Sequence, residues 1–175
     1  MHKAIGSRKD FNKLDEDSLL AEYKACVGDI LGHELVEKMD RYVQHCETSR
    51  LQHCINVSYY SFLICYRFGW DYRSAARAGL LHDLFFYDWR TKKCIRSSHA
   101  SWHPRVAYDN AKKVTELNDV EKDAILKHMW PCTLVPPRYI ESYVVTFVDK
   151  FSAIVEVAER QYMKIARRRR VVVRS

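Results

Sequence analysis

Four histidines and two aspartates in this chain have the types and settings from which metal centres are built. His82 and Asp83 stand side by side in "LLHD", directly after an apolar run, where neither is cheap to bury without a partner. His53 lies near the start of another apolar stretch, His103 precedes Pro104, His128 follows "DVEKDAILK", and Asp149 sits in "VVTFVDKFSAIVEVAE". Imidazole nitrogens and carboxylate oxygens together suit Zn, Fe, Mn or Ni, with no thiolate needed. A lone histidine at a helix end is more often a cap or a hydrogen-bonded structural residue, so the set carries the argument. Asp149 asks most loudly for a partner, either a cation or a hydrogen-bond donor. Val144, Val145, Phe147, Val148, Phe151 and Ile154 surround it in sequence, and Lys150 points about 100° away on an ideal helix.

Residues so far apart in sequence meet when helices pack antiparallel, and the chain has the elements for it. Apolar residues at 19, 20, 23, 27, 30 and 31 predict an amphipathic helix that Asp17 or Ser18 caps and Gly32 breaks. "HELVEKMDRYVQH" is expected to continue helically. The stretch from Ser49 to Phe68 is apolar on most of its circumference, which predicts a central helix ended by Gly69. Asp71 caps the next segment, whose Ala75, Ala76, Ala78 and Gly79 allow close helix contact. Phe85 to Trp102 lacks a period and reads as a loop, and Pro104 is suited to open the following helix. Asn118 or Asp119 can cap "DVEKDAILKHMW", and a last helix is expected from about Arg138 to about Arg167. No segment alternates with period two. The expected fold class is all-α and single-domain: a lead over 1–17, the domain over 18–166, and a basic tail over 167–175.

A chain of 175 residues with 47% hydrophobic and 29% charged residues supports one sizeable core, and its few glycines and prolines favour helices. Its formal charge of +7 raises the prior for phosphate-bearing or acidic partners. The run Arg167 to Arg170 carries part of that charge; without interleaved aromatic residues it reads as a solvated tail in preference to a nucleic-acid or membrane contact. Six cysteines with no Cys-x-x-Cys pair suit reduced thiols in a cytosol. The opening residues contain no signal-peptide core and no stretch reaches eighteen apolar residues, so a cytoplasmic, membrane-free protein is expected.

The ordered set of His53, "HD" at 82 and 83, "HP" at 103 and 104, His128 in "ILKHMWP" and Asp149 in "FVDKFS" resembles the HD-domain superfamily of metal-dependent phosphohydrolases over roughly residues 49 to 160. The resemblance implies an HD-type helical bundle with metal at its centre. It places His53, His82, Asp83 and Asp149 at the first ion and His103 and His128 at a second, with Asp83 bridging the two. Two divalent ions, among Mn, Fe, Zn and Ni, would activate water and clamp phosphate oxygens. His82 and Asp83 are then the catalytic pair, and the expected function is hydrolysis of a small phosphate ester, a nucleotide or related metabolite.

The chain also departs from the family pattern. Many dinuclear relatives continue the HD motif with Gly and Lys, whereas this chain reads "LFFYDWR". Phosphate contact is therefore expected from Arg50, Arg90, Lys92 and Lys93, with Arg96 as a further candidate. "MWP" after His128 has no Gly-Tyr-Pro element, which argues against the cyclic-dinucleotide hydrolases. His99, four residues before His103, is a loop or supporting residue in preference to a ligand; Asp88 is open between capping and contact. Trp102 and Trp130 adjoin presumed ligands and are expected at the pocket mouth. Two other readings compete: an HD-type di-iron oxygenase, and a non-catalytic nucleotide or nucleic-acid binding module with a structural metal that uses Arg167 to Arg170.

Overall fold

The computed structural model describes residues 16–45, 48–88 and 99–172. Within them the chain is mostly helical, with one two-stranded sheet, in keeping with the expected all-α class. The helices are α1 (Glu16–Leu31), α2 (Glu34–Glu37), α3 (Arg50–Phe68), α4 (Tyr72–Leu81), α5 (His99–Val114), α6 (Asp119–Lys127) and α7 (Ile140–Val172).

Helix α3 is central, as its all-round apolarity predicts. Ser49 Oγ accepts from the Gln52 amide at 3.2 Å to start it. Gly69 ends it at φ +70°, and the Trp70 amide returns to the Cys65 carbonyl at 2.9 Å, a left-handed cap suited to glycine. Asp71 then caps α4 by accepting from the Ser74 amide at 3.0 Å. Along α4, Ala75, Ala76, Ala78 and Leu80 are fully buried. A Cβ placed on Gly79 would lie 2.7 Å from the Ser58 Cα, so α4 meets α3 backbone to backbone at that point. Asn118 and Glu121 form a reciprocal capping box at the start of α6.

Four places differ from the sequence expectation, the first being α1, which already includes Glu16, so Asp17 and Ser18 lie in its first turn and do not cap it. Residues 33–45 do not continue as one helix: α2 is followed by a 3-10 turn, Lys38–Arg41, and strand β1 (Val43–His45) pairs antiparallel with β2 (Thr48–Ser49). The hairpin delivers Gln44 into the interior, where it is 6% exposed. Pro104 lies inside α5, not at its start, so helix covers His99 to His103 as well. Its missing N–H removes one i→i−4 bond to the carbonyl of Ala100 and its ring crowds that carbonyl, yet the helix runs through this point. Helix α7 runs past the expected end at Arg167 to Val172, so the backbone of the basic run continues the helix. The side chains of Arg167 to Arg170 lie outside the described residues, as do positions 1–15 of the expected lead.

No helix among the described residues is long and apolar enough to cross a membrane.

Candidate metal centre

The six residues singled out in the sequence come together from five elements. His53 projects from α3, His82 and Asp83 follow the end of α4, His103 comes from α5, His128 follows α6, and Asp149 comes from α7. His53, His82 and His128 are at most 1% exposed, and Asp83 and His103 are each 3% exposed. The donor atoms of His53, His82 and Asp83 lie within 4.8 Å of one another, as do those of Asp83, His103 and His128, and those of His82, His128 and Asp149. These groups could hold a metal ion, and Asp83 belongs to two of them.

Three of the four rings are oriented from behind. His82 Nδ1 donates to the Gly79 carbonyl at 2.8 Å, and His128 Nδ1 donates to the Ile125 carbonyl at 2.8 Å. His53 Nδ1 faces the Glu156 carboxylate at 3.1 and 3.2 Å, and Asn56 Nδ2 donates to the same carboxylate at 3.1 Å. A proton on Nδ1 leaves the Nε2 lone pair for a cation, which is how metal-binding imidazoles are held. The Nε2 atoms do converge: His53 is 3.1 Å and His82 3.6 Å from Asp149 Oδ1, while His103 is 3.2 Å and His128 3.6 Å from Asp83 Oδ1.

Two polar atoms in this cluster are left without a hydrogen bond despite full burial, His82 Nε2 and Asp83 Oδ1. Buried orphans of this kind are rare, and both face the centre. The donor set is also the right chemistry for a borderline transition ion, with four imidazoles and two carboxylates. The residues fit a metal.

Electrostatics tell the same story. Burial alone would push the His53 imidazolium down, but the Asp149 and Glu156 carboxylates outweigh it and raise its pKa to about 10. His82 is likewise opposed by burial yet held well above the usual histidine range, chiefly by Asp83. Burial acts to raise Asp83 and Asp149, and the surrounding imidazoles win, holding both well below the carboxylate range. Burial, with His103 and His82 beside it, pushes His128 down to about 3. Without a metal, protons on imidazole supply positive charge to the two aspartates.

Sequence reasoning missed the supporting residues. Gln44 Nε2 donates to Asp83 Oδ2, and Arg50 Nε donates to Gln44 Oε1 at 2.7 Å, which fixes which end of the amide faces the aspartate. Arg50 itself, expected at the substrate, is fully buried; it donates to the Phe85 carbonyl at 2.6 Å and stacks 3.6 Å over the Phe85 ring. Its role is to hold Gln44 and the chain after Asp83. Gln44 gave no signal because its stretch looked helical, and Glu156 looked like one more charge on a long helix. The carboxylate spacing of Asp149 and Glu156, two turns apart on one face, was the legible clue.

Lys150 sends its ammonium to the His128 carbonyl at 2.7 Å and passes 3.9 Å from Asp149 Oδ2, so it spans the two sides of the cluster. Phe147, Phe151 and Ile154, expected around Asp149, are 66, 55 and 67% exposed and face away from it. Arg90, Lys92, Lys93 and Arg96 lie outside the described residues, as does the side chain of His99. Trp102 is exposed, and Trp130 packs edge-on against Tyr143 with ring centres 5.7 Å apart. A surface groove of about 510 Å³, bordered by Arg105, Tyr108 and Lys127, contains none of the six ligand candidates.

No protein-family model, curated protein or solved structure matches this chain.

Proposed function

We propose that the chain is an HD-type metal-dependent phosphohydrolase that cleaves a small phosphate ester, a nucleotide or related metabolite, with two divalent transition-metal ions. The carrying observation is the position of Asp83, whose Oδ1 faces His103 and His128 while its Oδ2 lies 3.7 Å from His82 Nε2. One carboxylate thus offers an oxygen to each of two groups of imidazoles. His53, His82, Asp83 and Asp149 would hold one ion, and Asp83, His103 and His128 the other. When bound, such ions lower the pKa of water and neutralise charge on phosphate oxygens.

The chain's own residues orient and exclude. Backbone carbonyls at Gly79 and Ile125 and the Glu156 carboxylate fix three rings so that Nε2 points inward. Gln44 steadies Asp83. Asp149 and Lys150 have side chains 13 and 36% exposed, the wettest edge among the ligand candidates and their neighbour, so the phosphate would enter past Lys150, whose charge favours it. That ammonium stands in for the lysine absent after the HD motif.

Chelator-stripped protein reloaded with Mn, Fe, Zn or Ni should release inorganic phosphate from a panel of nucleoside monophosphates and sugar phosphates. Turnover should require metal and vanish in Asp83→Ala. A fully loaded protein that releases no phosphate from the panel, and consumes oxygen when loaded with Fe(II), would redirect the assignment to oxidative chemistry.

A further inference from the structure

Helix α7 carries two apolar faces. One, with Val144, Val145 and Val148, packs into the core beside Asp149 and Glu156. The other lies about a quarter turn round the helix and is open: Ile140, Tyr143, Phe147, Phe151, Ile154 and Tyr162 are 46, 37, 66, 55, 67 and 71% exposed, and Ala158 continues the row. The Phe147 and Phe151 rings already stack, with centres 6.2 Å apart at 13°. No charged residue interrupts the row, which extends about 33 Å at 1.5 Å per residue.

We propose that this row is the interface of a two-fold homodimer in which the α7 helices of two copies pack antiparallel, crossing near Phe151. Three observations single out a second copy. The pattern reads the same in both directions: Ile140 and Tyr162 stand eleven residues either side of Phe151, Tyr143 and Ala158 eight and seven, Phe147 and Ile154 four and three. An isologous contact between antiparallel helices requires that property. The exposed side chains offer on the order of 700 Å², close to the roughly 800 Å² per partner of a stable complex once the bordering polar residues are added. A lone solvated patch of that size is unusual.

The third observation is the overhang. None of the described side chains from Val157 to Met163 is buried, yet α7 continues to Val172. A helical stretch whose described side chains stay unburied from Val157 to Met163 gains little from packing, and a helix without packing is marginal. Antiparallel pairing about Phe151 lays residues 157–162 along residues 140–145 of the other copy's α7. The row repeats every eleven residues, Ile140 to Phe151 to Tyr162, a spacing that keeps a seam nearly straight along an α-helix.

The test is sedimentation equilibrium on the full chain, wild type against the double variant Phe147→Glu/Phe151→Glu. Wild type should sediment as a dimer at micromolar concentration, and the variant as a monomer, with dimer affinity at least about 100-fold weaker and with helical circular dichroism unchanged. A second variant fixes the geometry: Phe151→Cys should form a disulfide-linked dimer on mild oxidation beyond any seen in wild type. A monomeric wild type overturns the proposal, whether or not the protein then binds vesicles of anionic lipid. So does a double variant that stays dimeric, or a dimer that Phe151→Cys fails to cross-link.

Discussion

The Nε2 atoms of His103 and His128 lie 2.8 Å apart, and His128 Nδ1 lies 2.8 Å from the Ile125 carbonyl. A neutral imidazole carries one proton, and the bond to Ile125 claims it for Nδ1 of His128. Burial keeps His128 neutral by pushing it down to about 3. The shared proton therefore belongs to His103 Nε2, which also points at Asp83 Oδ1, 3.2 Å away. In the metal-free protein a proton stands where a cation would.

Metal uptake should accordingly release protons. His53 holds a proton at pH 7 and His82 is shifted in the same direction, since the carboxylates beside them overcome burial. Titration calorimetry in buffers of different ionisation heat should show a net release of protons as metal loads. Loading with no proton release would contradict this charge assignment.

Stability of the metal-free protein should peak near pH 6.5. Below that value unfolded His128 takes up a proton that the folded ring refuses until about 3, so stability rises with pH over this range. Above it, folded His53 keeps a proton until about 10 that the unfolded chain has released, so the stability it contributes is full below 6.5 and is lost as pH climbs toward 10. Asp83 and Asp149, held well below 3.8, add stability present above that value and lost in stronger acid. Thermal melts of chelated protein from pH 4 to 10 read this directly; a monotonic curve would refute it.

Removing a group behind a ligand should weaken metal binding without abolishing it. Gln44→Ala frees Asp83 Oδ2, and Glu156→Ala frees His53 Nδ1. Each should lower metal affinity by about 10- to 100-fold, with Glu156→Gln retaining more than Glu156→Ala because an acceptor oxygen remains. Affinities equal to wild type in all three would show that the rings and Asp83 need no such support.

Two glycine substitutions should differ in sign. Gly79→Ala drives a methyl to 2.7 Å from the Ser58 Cα and should cost about 1–3 kcal/mol, lowering the melting temperature by several degrees. Gly28→Ala, in α1 with nothing within 4 Å of the new carbon, should leave it unchanged or higher, since alanine is favoured by about 1 kcal/mol in a helix.

The ligand candidates were legible because each is expensive to bury alone, and such residues stand out against apolar helices. Helix ends were legible where a side chain or a glycine does the capping: Ser49, Gly69, Asp71 and Asn118 all behave as their chemistry demands. The hairpin was not, because two short strands of three and two residues leave no period to read. Gln44 acts through residues distant in sequence, a relation that only packing creates, and Glu156 shows itself in sequence only by its two-turn spacing from Asp149. The open face of α7 was misread for a related reason: apolar neighbours of Asp149 at helical spacing look like core until the fold shows that the helix has a second side.

In the proposed site His82 and Asp83 are paired through metal. Metal analysis by mass spectrometry on untagged protein purified without chelator, with Asp83→Ala beside it, decides whether they are. About two transition-metal ions per wild-type chain, lost in the variant, is the predicted result. No bound metal, even after reconstitution with Mn, Fe, Zn and Ni, would contradict it.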